Sequence, residues 1–182
     1  MDLHVLVDLQ YDPAESGPVP REALQRIPSR IERVTVRPSI GDRKLDAALV
    51  VRTDYGHEPI WRAIVTELRQ PWGEDGEREA LVHIVDDPGW SDATVEEIRA
   101  AAQAGDRTVF LVDSTAIHHS HFAMLAVDLD TTEETIPGQD TFRLEPAAVQ
   151  EVHMQRFIDN VSFTDYIDQA ARDPDNIVWS PY

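Results

Sequence analysis

The sequence predicts a single α/β domain: a mixed sheet with a parallel βαβαβ centre, antiparallel edge strands and two C-terminal helices. Three continuous apolar runs, at residues 47–52, 80–85 and 108–112, are typical of buried strands. Two segments with helical character separate them, at residues 57–70 and 93–104. Because strands that alternate with helices are joined by right-handed crossovers, we expect these three strands to be parallel and central.

The two crossover helices are predicted from apolar spacing and from their ends. In the first helix an apolar stripe recurs at helical spacing, formed by Ile60, Trp61, Ile64, Val65 and Leu68. Pro71 is expected to end it. In the second helix Ser91 or Asp92 can cap the N-terminus, and Gly105 can end the helix.

The remaining segments flank this centre. Residues 1–45 predict an N-terminal strand-helix-strand addition, with strands at 3–9 and 31–37 and a short helix from Pro20 to about Ile27. The core α/β unit then covers residues 46–172, and residues 173–182 form an apolar tail that we expect to pack back on the domain.

The last third of the core departs from the strand-helix alternation. Residues 122–129 and 141–144 predict two strands whose connection is too short for a crossover helix, so we expect antiparallel additions at a sheet edge. Pro146 opens one helix, and Ser162 or Thr164 begins a second one.

The chain of 182 residues has a formal net charge of −18, and this charge is unevenly placed. Residues 1–44 carry seven acids and seven bases, whereas residues 45–182 carry 27 acids against nine arginines. Such a surface repels phosphates and anionic lipid, so we expect neither nucleic acid nor membrane as a partner. A basic protein or a metal cation is the natural complement.

The absence of certain residue types and segments narrows the possible classes of protein further. With no cysteine, disulfides, thiolate metal sites and cysteine nucleophiles are excluded. The sequence contains no apolar run of about 18 residues and does not start like a secretory signal, so we expect a cytoplasmic protein.

Between about residues 46 and 172 a series of short segments stands in a characteristic order. It runs LVVRTD at 49–54, Trp61, VDDP at 85–88, Thr94-Val95, FLVD at 110–113, His121, VDL at 127–129, Phe142-Arg143 and NVSFTDY at 160–166. The series resembles a family of small acidic bacterial proteins known only as a domain of unknown function. The resemblance implies no activity, because none is assigned to that family.

Each predicted central strand is followed by carboxylates: Asp54, the pair Asp86 and Asp87, and Asp113. In a parallel sheet these strand ends converge on one edge, where open α/β proteins place their sites. Clustered carboxylates stay separated in water, share a proton, or hold a divalent cation. Alternatively, each of them caps a turn or a helix.

Two further groups of side chains are candidates for a functional site. His118, His119 and His121 follow the third central strand in a predicted loop and could ligate Zn²⁺, although their spacing matches no recognised zinc pattern. Trp72 and Trp90 lie in acidic loops, and exposed aromatic residues among acids are typical of surfaces that bind basic proteins. Equally, each tryptophan could fold back over the sheet.

The leading hypothesis is a small acidic cytoplasmic binding, inhibitor or accessory protein that captures a basic partner surface without catalysis or cofactor. Its predicted binding residues are Trp72, Trp90, Asp54 and Asp92.

The alternative is a metal-dependent hydrolase or phosphoryl-transfer enzyme. Asp86, Asp87 and Asp113 would then be catalytic and would ligate Mg²⁺ or Zn²⁺, with His118 as acid or base. The sequence predicts neither the identity of a partner or substrate nor the oligomeric state.

Overall fold

A six-stranded mixed sheet forms the centre of the molecule, with helices on both faces. The structure is a computed structural model that describes residues 37–41, 43–130 and 138–182. The predicted strand at 3–9, the predicted helix from Pro20 and nearly all of the predicted strand at 31–37 lie outside the described residues.

The sheet confirms the predicted mixture of parallel and antiparallel strands. Its strands are β1 (Ala48–Arg52), β2 (Val82–Val85), β3 (Thr108–Val112), β4 (Met124–Asp128), β5 (Thr141–Leu144) and β6 (Ile177–Val178). They are ordered β2-β1-β3-β4-β5-β6. β1 pairs in parallel with β2 and β3, β4 is antiparallel to β3 and β5, and β6 is parallel to β5.

Five helices accompany the sheet in the described part of the chain. They are α1 (Glu58–Leu68), α2 (Val95–Ala101), α3 (Ser114–His118), α4 (Val149–Phe157) and α5 (Phe163–Arg172). The two predicted C-terminal helices are therefore present, whereas α3 replaces a predicted loop. None of these five helices is long and apolar enough to cross a membrane.

The core lies on both faces of the sheet. In β1, Ala48 and Val50 pack in the cluster that contains α1, whereas Leu49 and Val51 pack in the cluster that contains α2. This two-sided coverage explains why all five β1 residues are buried and why the strand is a continuous apolar run. Because β2 and β3 flank β1, the strand order reverses beside β1, which is where sheets of this kind bind ligands.

The ends of α2 differ from the prediction. Thr94, and not Ser91 or Asp92, caps this helix in a reciprocal capping box with Glu97. Asp92 instead has a positive φ of 53°, and its backbone N–H donates to the carbonyl of Thr53 at 2.9 Å. The helix ends at Ala101, before the predicted stop.

The C-terminal tail packs on the domain as predicted and forms a strand that was not predicted. Ile177 and Val178 are almost fully buried and pair with the end of β5. Beyond them, the indole N–H of Trp179 donates to the Asp173 carboxylate at 2.8 Å, which fixes the indole against the end of α5.

Candidate functional site

The three parallel strands end at one border of the sheet, which we call the carboxyl edge. Asp54 lies two residues beyond β1, Asp86 and Asp87 follow β2 directly, and Asp113 follows β3 directly. The parallel register of β1 with its two neighbours places these strand ends side by side. The predicted convergence of the four carboxylates on one edge is therefore confirmed.

Arg52, the last residue of β1, organises the carboxyl edge from inside the protein. It is only 3% exposed. Its guanidinium donates to the carbonyl oxygen of Asp54 at 2.9 Å, to Glu58 at 3.0 Å and to Asp86 at 3.2 Å. Sequence reasoning missed this role, although a lone arginine ending an apolar strand just before several acids is a usable signal.

Two of the edge acids have both carboxylate oxygens occupied. Asp86 accepts from Arg52 through one oxygen and from the indole N–H of Trp61 at 2.9 Å through the other. Glu58 accepts from Arg52 and from Arg62, and the hydrogen bond from Arg52 is the main reason why its pKa is lowered. Asp86 and Glu58 are thus paired within the protein and hold the edge in shape.

Tyr55 completes this arrangement. The Arg52 guanidinium lies 4.3 Å from the centroid of the Tyr55 ring and 5.0 Å from that of Trp61. Burial, and then the negative charge of Asp86, raise the pKa of Tyr55 to about 12. The Tyr55 side chain is therefore a neutral phenol at physiological pH and brings no further charge to the edge.

Asp113 is also engaged within the protein. Its carboxylate accepts from the backbone N–H of Ala116 at 3.0 Å and so caps α3. Arg143 donates to both carboxylate oxygens, at 2.8 and 2.6 Å, and also to the carbonyl of Ala123 at 2.9 Å. Such a two-pronged contact with an arginine is strong and directional.

The predicted metal ligands do not come together. Among residues 37–41, 43–130 and 138–182, no three histidine or acidic side chains are grouped so that they could hold a metal ion. The predicted ligands Asp86, Asp87 and Asp113 thus do not form such a group among the described residues, and their metal-binding and catalytic roles stay predictions. Arg52 and Arg143 neutralise two of these three carboxylates, which removes the need for a cation there.

Of the three clustered histidines, His119 and His121 stay together, with ring centroids 5.8 Å apart, whereas His118 has other neighbours. His118 ends α3, and its Nδ1 lies 2.8 Å from the carbonyl oxygen of Ser114. Its ring meets His57 edge-to-face at 5.2 Å, whereas the His121 ring meets Trp179 at 4.9 Å. The predicted acid or base role of His118 stays a prediction.

Three acids at the carboxyl edge keep unused acceptor capacity, and we call Asp54, Asp87 and Asp92 the acidic patch. Each accepts one local hydrogen bond: from the backbone N–H of Gly56 at 2.7 Å, the backbone N–H of Gly89 at 2.8 Å and the hydroxyl of Ser91 at 3.3 Å, respectively. The second oxygen of each carboxylate has no hydrogen-bond or ion-pair partner within the described residues.

Trp90 is not a surface residue, so its predicted binding role is wrong. Its side chain is 0% exposed and belongs to the core cluster that also contains Ile98 of α2. Asp87 caps the short turn Pro88–Trp90. This turn directs the indole into the core cluster that β1 and α2 share. The alternative that this tryptophan folds back over the sheet is therefore confirmed.

Trp72 is half-buried and lies away from the acidic patch. α1 begins four residues after Asp54 and ends four residues before Trp72, so the two residues lie at opposite ends of this helix. The Arg78 guanidinium is 4.7 Å from the ring centroid of Trp72, and the indole N–H donates to the carbonyl of Glu79 at 3.2 Å. Trp72 and the acidic patch do not form one surface.

The comparison with known proteins gives a family and no activity. No protein with a curated description matches the sequence. Residues 47–178 match a family described as a domain of unknown function, DUF6924, and the matched range runs from the start of β1 to the end of β6. Since this match covers most of the chain and confirms the resemblance to a domain of unknown function, the protein belongs to the DUF6924 family.

Proposed function

We propose that this chain is a small acidic cytoplasmic protein that binds a basic surface of another protein through the acidic patch and performs no catalysis. The observation that carries the proposal is the unused acceptor capacity of Asp54, Asp87 and Asp92 at an edge whose other acids are already neutralised.

The acidic patch is held in place before any partner arrives. Asp54 and Asp87 each accept a backbone N–H two residues further on, which orients the carboxylate. The backbone N–H of Asp92 donates to Thr53, which ties the third acid to the end of β1. Because little side-chain freedom is lost on binding, such carboxylates are good acceptors for the guanidinium and ammonium groups of a partner.

The net charge of residues 45–182 also supports a basic protein as the partner. Residues 45–182 carry 27 acids and only nine basic residues, all arginine. Several of those arginines, including Arg52, Arg143 and Arg156, are paired with acids of their own chain. The resulting negative field accelerates encounter with a basic protein and weakens as salt screens it.

The experiment compares three immobilised proteins in a capture from the lysate of the source cells. The first is the wild type, and the second carries Asp54→Asn, Asp87→Asn and Asp92→Asn. The third is a control, Glu67→Gln, Glu79→Gln and Asp168→Asn, which removes the same number of negative charges from exposed positions outside the acidic patch. Captured proteins are quantified by mass spectrometry at low salt and at about 0.5 M salt, where screening is nearly complete.

We expect a basic protein that the wild type and the control retain at low salt and that the patch variant loses. Three exposed charge contacts of about 0.5 kcal/mol each correspond to roughly a tenfold loss of affinity. High salt should release the same protein from the wild type. The proposal fails if every captured protein binds the patch variant and the control equally, or if binding is indifferent to salt.

A further inference from the structure

A cavity of about 460 Å³ lies between α4, α5 and the tail that follows β6. This volume is within the range of about 300 to 1,000 Å³ that small-molecule sites occupy. None of the acidic patch residues lines the cavity. Any ligand bound here is therefore independent of the proposed partner of the carboxyl edge.

The tail wall of the cavity is preformed. Trp179 is oriented by the hydrogen bond from its indole N–H to Asp173 at 2.8 Å. Ser180 donates its backbone N–H to Glu145 at 2.7 Å. These two contacts, together with the pairing of β6 to β5, hold the tail against the helices, so a ligand would not have to order this wall.

Tyr166 contributes a polar group to the wall of the cavity. The side chain lines the cavity although the residue is only 6% exposed, and its hydroxyl has no hydrogen-bond partner within the described residues. Burial, and then the charge of Glu151, raise the pKa of Tyr166 to about 12, so the hydroxyl is protonated. The oxygen of this hydroxyl can accept a hydrogen bond from a ligand that enters the cavity.

Glu151 supplies the charge. Asn160 donates to Gln155 at 2.5 Å, and Gln155 donates to one oxygen of Glu151 at 2.6 Å, so a chain of amides orients the carboxylate. The other oxygen has no partner within the described residues. Among the described side chains that line the cavity, Glu151 is the only charged one, and no cation balances it there.

The remaining lining combines apolar side chains, among them Val152, Val161, Val178 and Trp179, with the amides of Gln155, Asn160 and Gln169. A cavity with one carboxylate, one hydroxyl, neutral amides and several apolar side chains is complementary to a molecule with one positive end and an apolar body. An anionic ligand would meet the unbalanced charge of Glu151 and be repelled.

We propose that this cavity, which we call the α4–α5 cavity, binds a small organic amine with an apolar body. The ammonium group lies at the free oxygen of Glu151 and at the hydroxyl of Tyr166. The apolar part packs against Val161 and the indole of Trp179.

The test uses three probes of nearly equal shape: 2-phenylethylamine, 2-phenylethanol and phenylacetate. Their binding to the whole chain is followed by isotope-edited NMR titration, which also locates the perturbed residues. We expect the amine to bind about tenfold more tightly than the alcohol, because a hydrogen bond to a charged group adds about 1.5 kcal/mol. Phenylacetate should not bind.

Glu151→Gln separates charge from shape. Glutamine keeps an oxygen that accepts from Gln155, so the amide chain is retained. This variant should lose the roughly tenfold preference for the amine while its affinity for the alcohol is unchanged. The control Glu79→Gln removes an exposed acid that does not line the cavity and should bind all probes like the wild type.

The proposal is overturned if phenylacetate binds as tightly as the amine, if no probe perturbs residues of the α4–α5 cavity, or if Glu151→Gln binds the amine unchanged. The ranking of the three probes on the wild type remains decisive if the variant does not fold.

Discussion

The two edges of the sheet use the same residue type in opposite ways. At the edge where β1 and β3 begin, which we call the amino edge, Asp106 and Asp128 are buried and paired with arginines. The exposed fractions of the side chains are 4% and 1% for the pair Arg43–Asp106, and 7% and 14% for the pair Arg156–Asp128. At the carboxyl edge Asp87 and Asp92 are exposed and Asp54 is partly buried, and each has a spare acceptor oxygen.

This difference decides what each set of acids contributes. A buried ion pair is expensive to break, because the remaining partner stays behind as an uncompensated charge in a poorly hydrated place. An exposed carboxylate stays hydrated, so its removal hardly affects the folded state. We therefore expect the buried ion pairs of the amino edge to control stability and the acidic patch of the carboxyl edge to control association.

The largest effect on the free energy of unfolding is expected for Arg156→Met at the amino edge. Arg156 donates to Asp128 at 3.2 Å and to Asp130 at 3.3 Å. Methionine keeps an apolar stem but leaves Asp128, whose pKa burial already raises, without its counter-ion. We expect a loss of about 3 kcal/mol in the free energy of unfolding, measured by urea titration.

Arg62→Met is the control for that loss. Arg62 is 76% exposed, and its contact with Glu58 is a surface pair within one helix. The change should cost no more than about 0.5 kcal/mol. Equal losses in Arg156→Met and Arg62→Met would show that burial does not distinguish the two kinds of ion pair in this protein.

An intermediate effect on folding stability is expected from the protonation of His153, which lies on α4 near the amino edge. It is 8% exposed, and burial, with the charge of Arg43 adding, lowers its pKa below 6.5. As pH falls through about 6.5 the unfolded chain binds a proton that the folded chain does not, so folding stability is lost. This contribution is fully present above that pH and is lost as pH falls toward the folded pKa.

The measurement is the free energy of unfolding of wild type and His153→Gln between about pH 7.5 and 5.5. One proton accounts for a slope of at most about 1.4 kcal/mol per pH unit. The variant should lose part of the wild-type slope. An unchanged slope in His153→Gln would mean that this histidine is protonated alike in both states.

Most of the fold followed from local signals. The predicted strands at 108–112 and 141–144 agree with β3 and β5 because apolar continuity and alternation are local properties of the chain. The convergence of the acids on one edge followed from the parallel topology alone. The start of α2 was open to prediction as well, since Thr94 and Glu97 have the spacing of a capping box.

The chemistry of the site depended on contacts that no local signal reveals. Arg143 reaches Asp113 across 30 positions of sequence, and Arg52 reaches Asp86 across 34. Which acids are neutralised is decided by those long-range pairs, and without them every strand-end carboxylate resembles a metal ligand. The burial of Trp90 likewise depends on the direction of a three-residue turn.

The smallest effect on stability is expected from the triple patch variant Asp54→Asn, Asp87→Asn and Asp92→Asn. Asparagine keeps the oxygen that accepts from Gly56 or Gly89, and it tolerates the positive φ of 53° at position 92. Lost charge repulsion in a chain of net charge −18 offsets any small loss of turn stability. Urea titration should therefore place the variant within about 1 kcal/mol of the wild type. A loss near that of Arg156→Met would make the acidic patch a structural element, and the distinction between the two edges would then disappear.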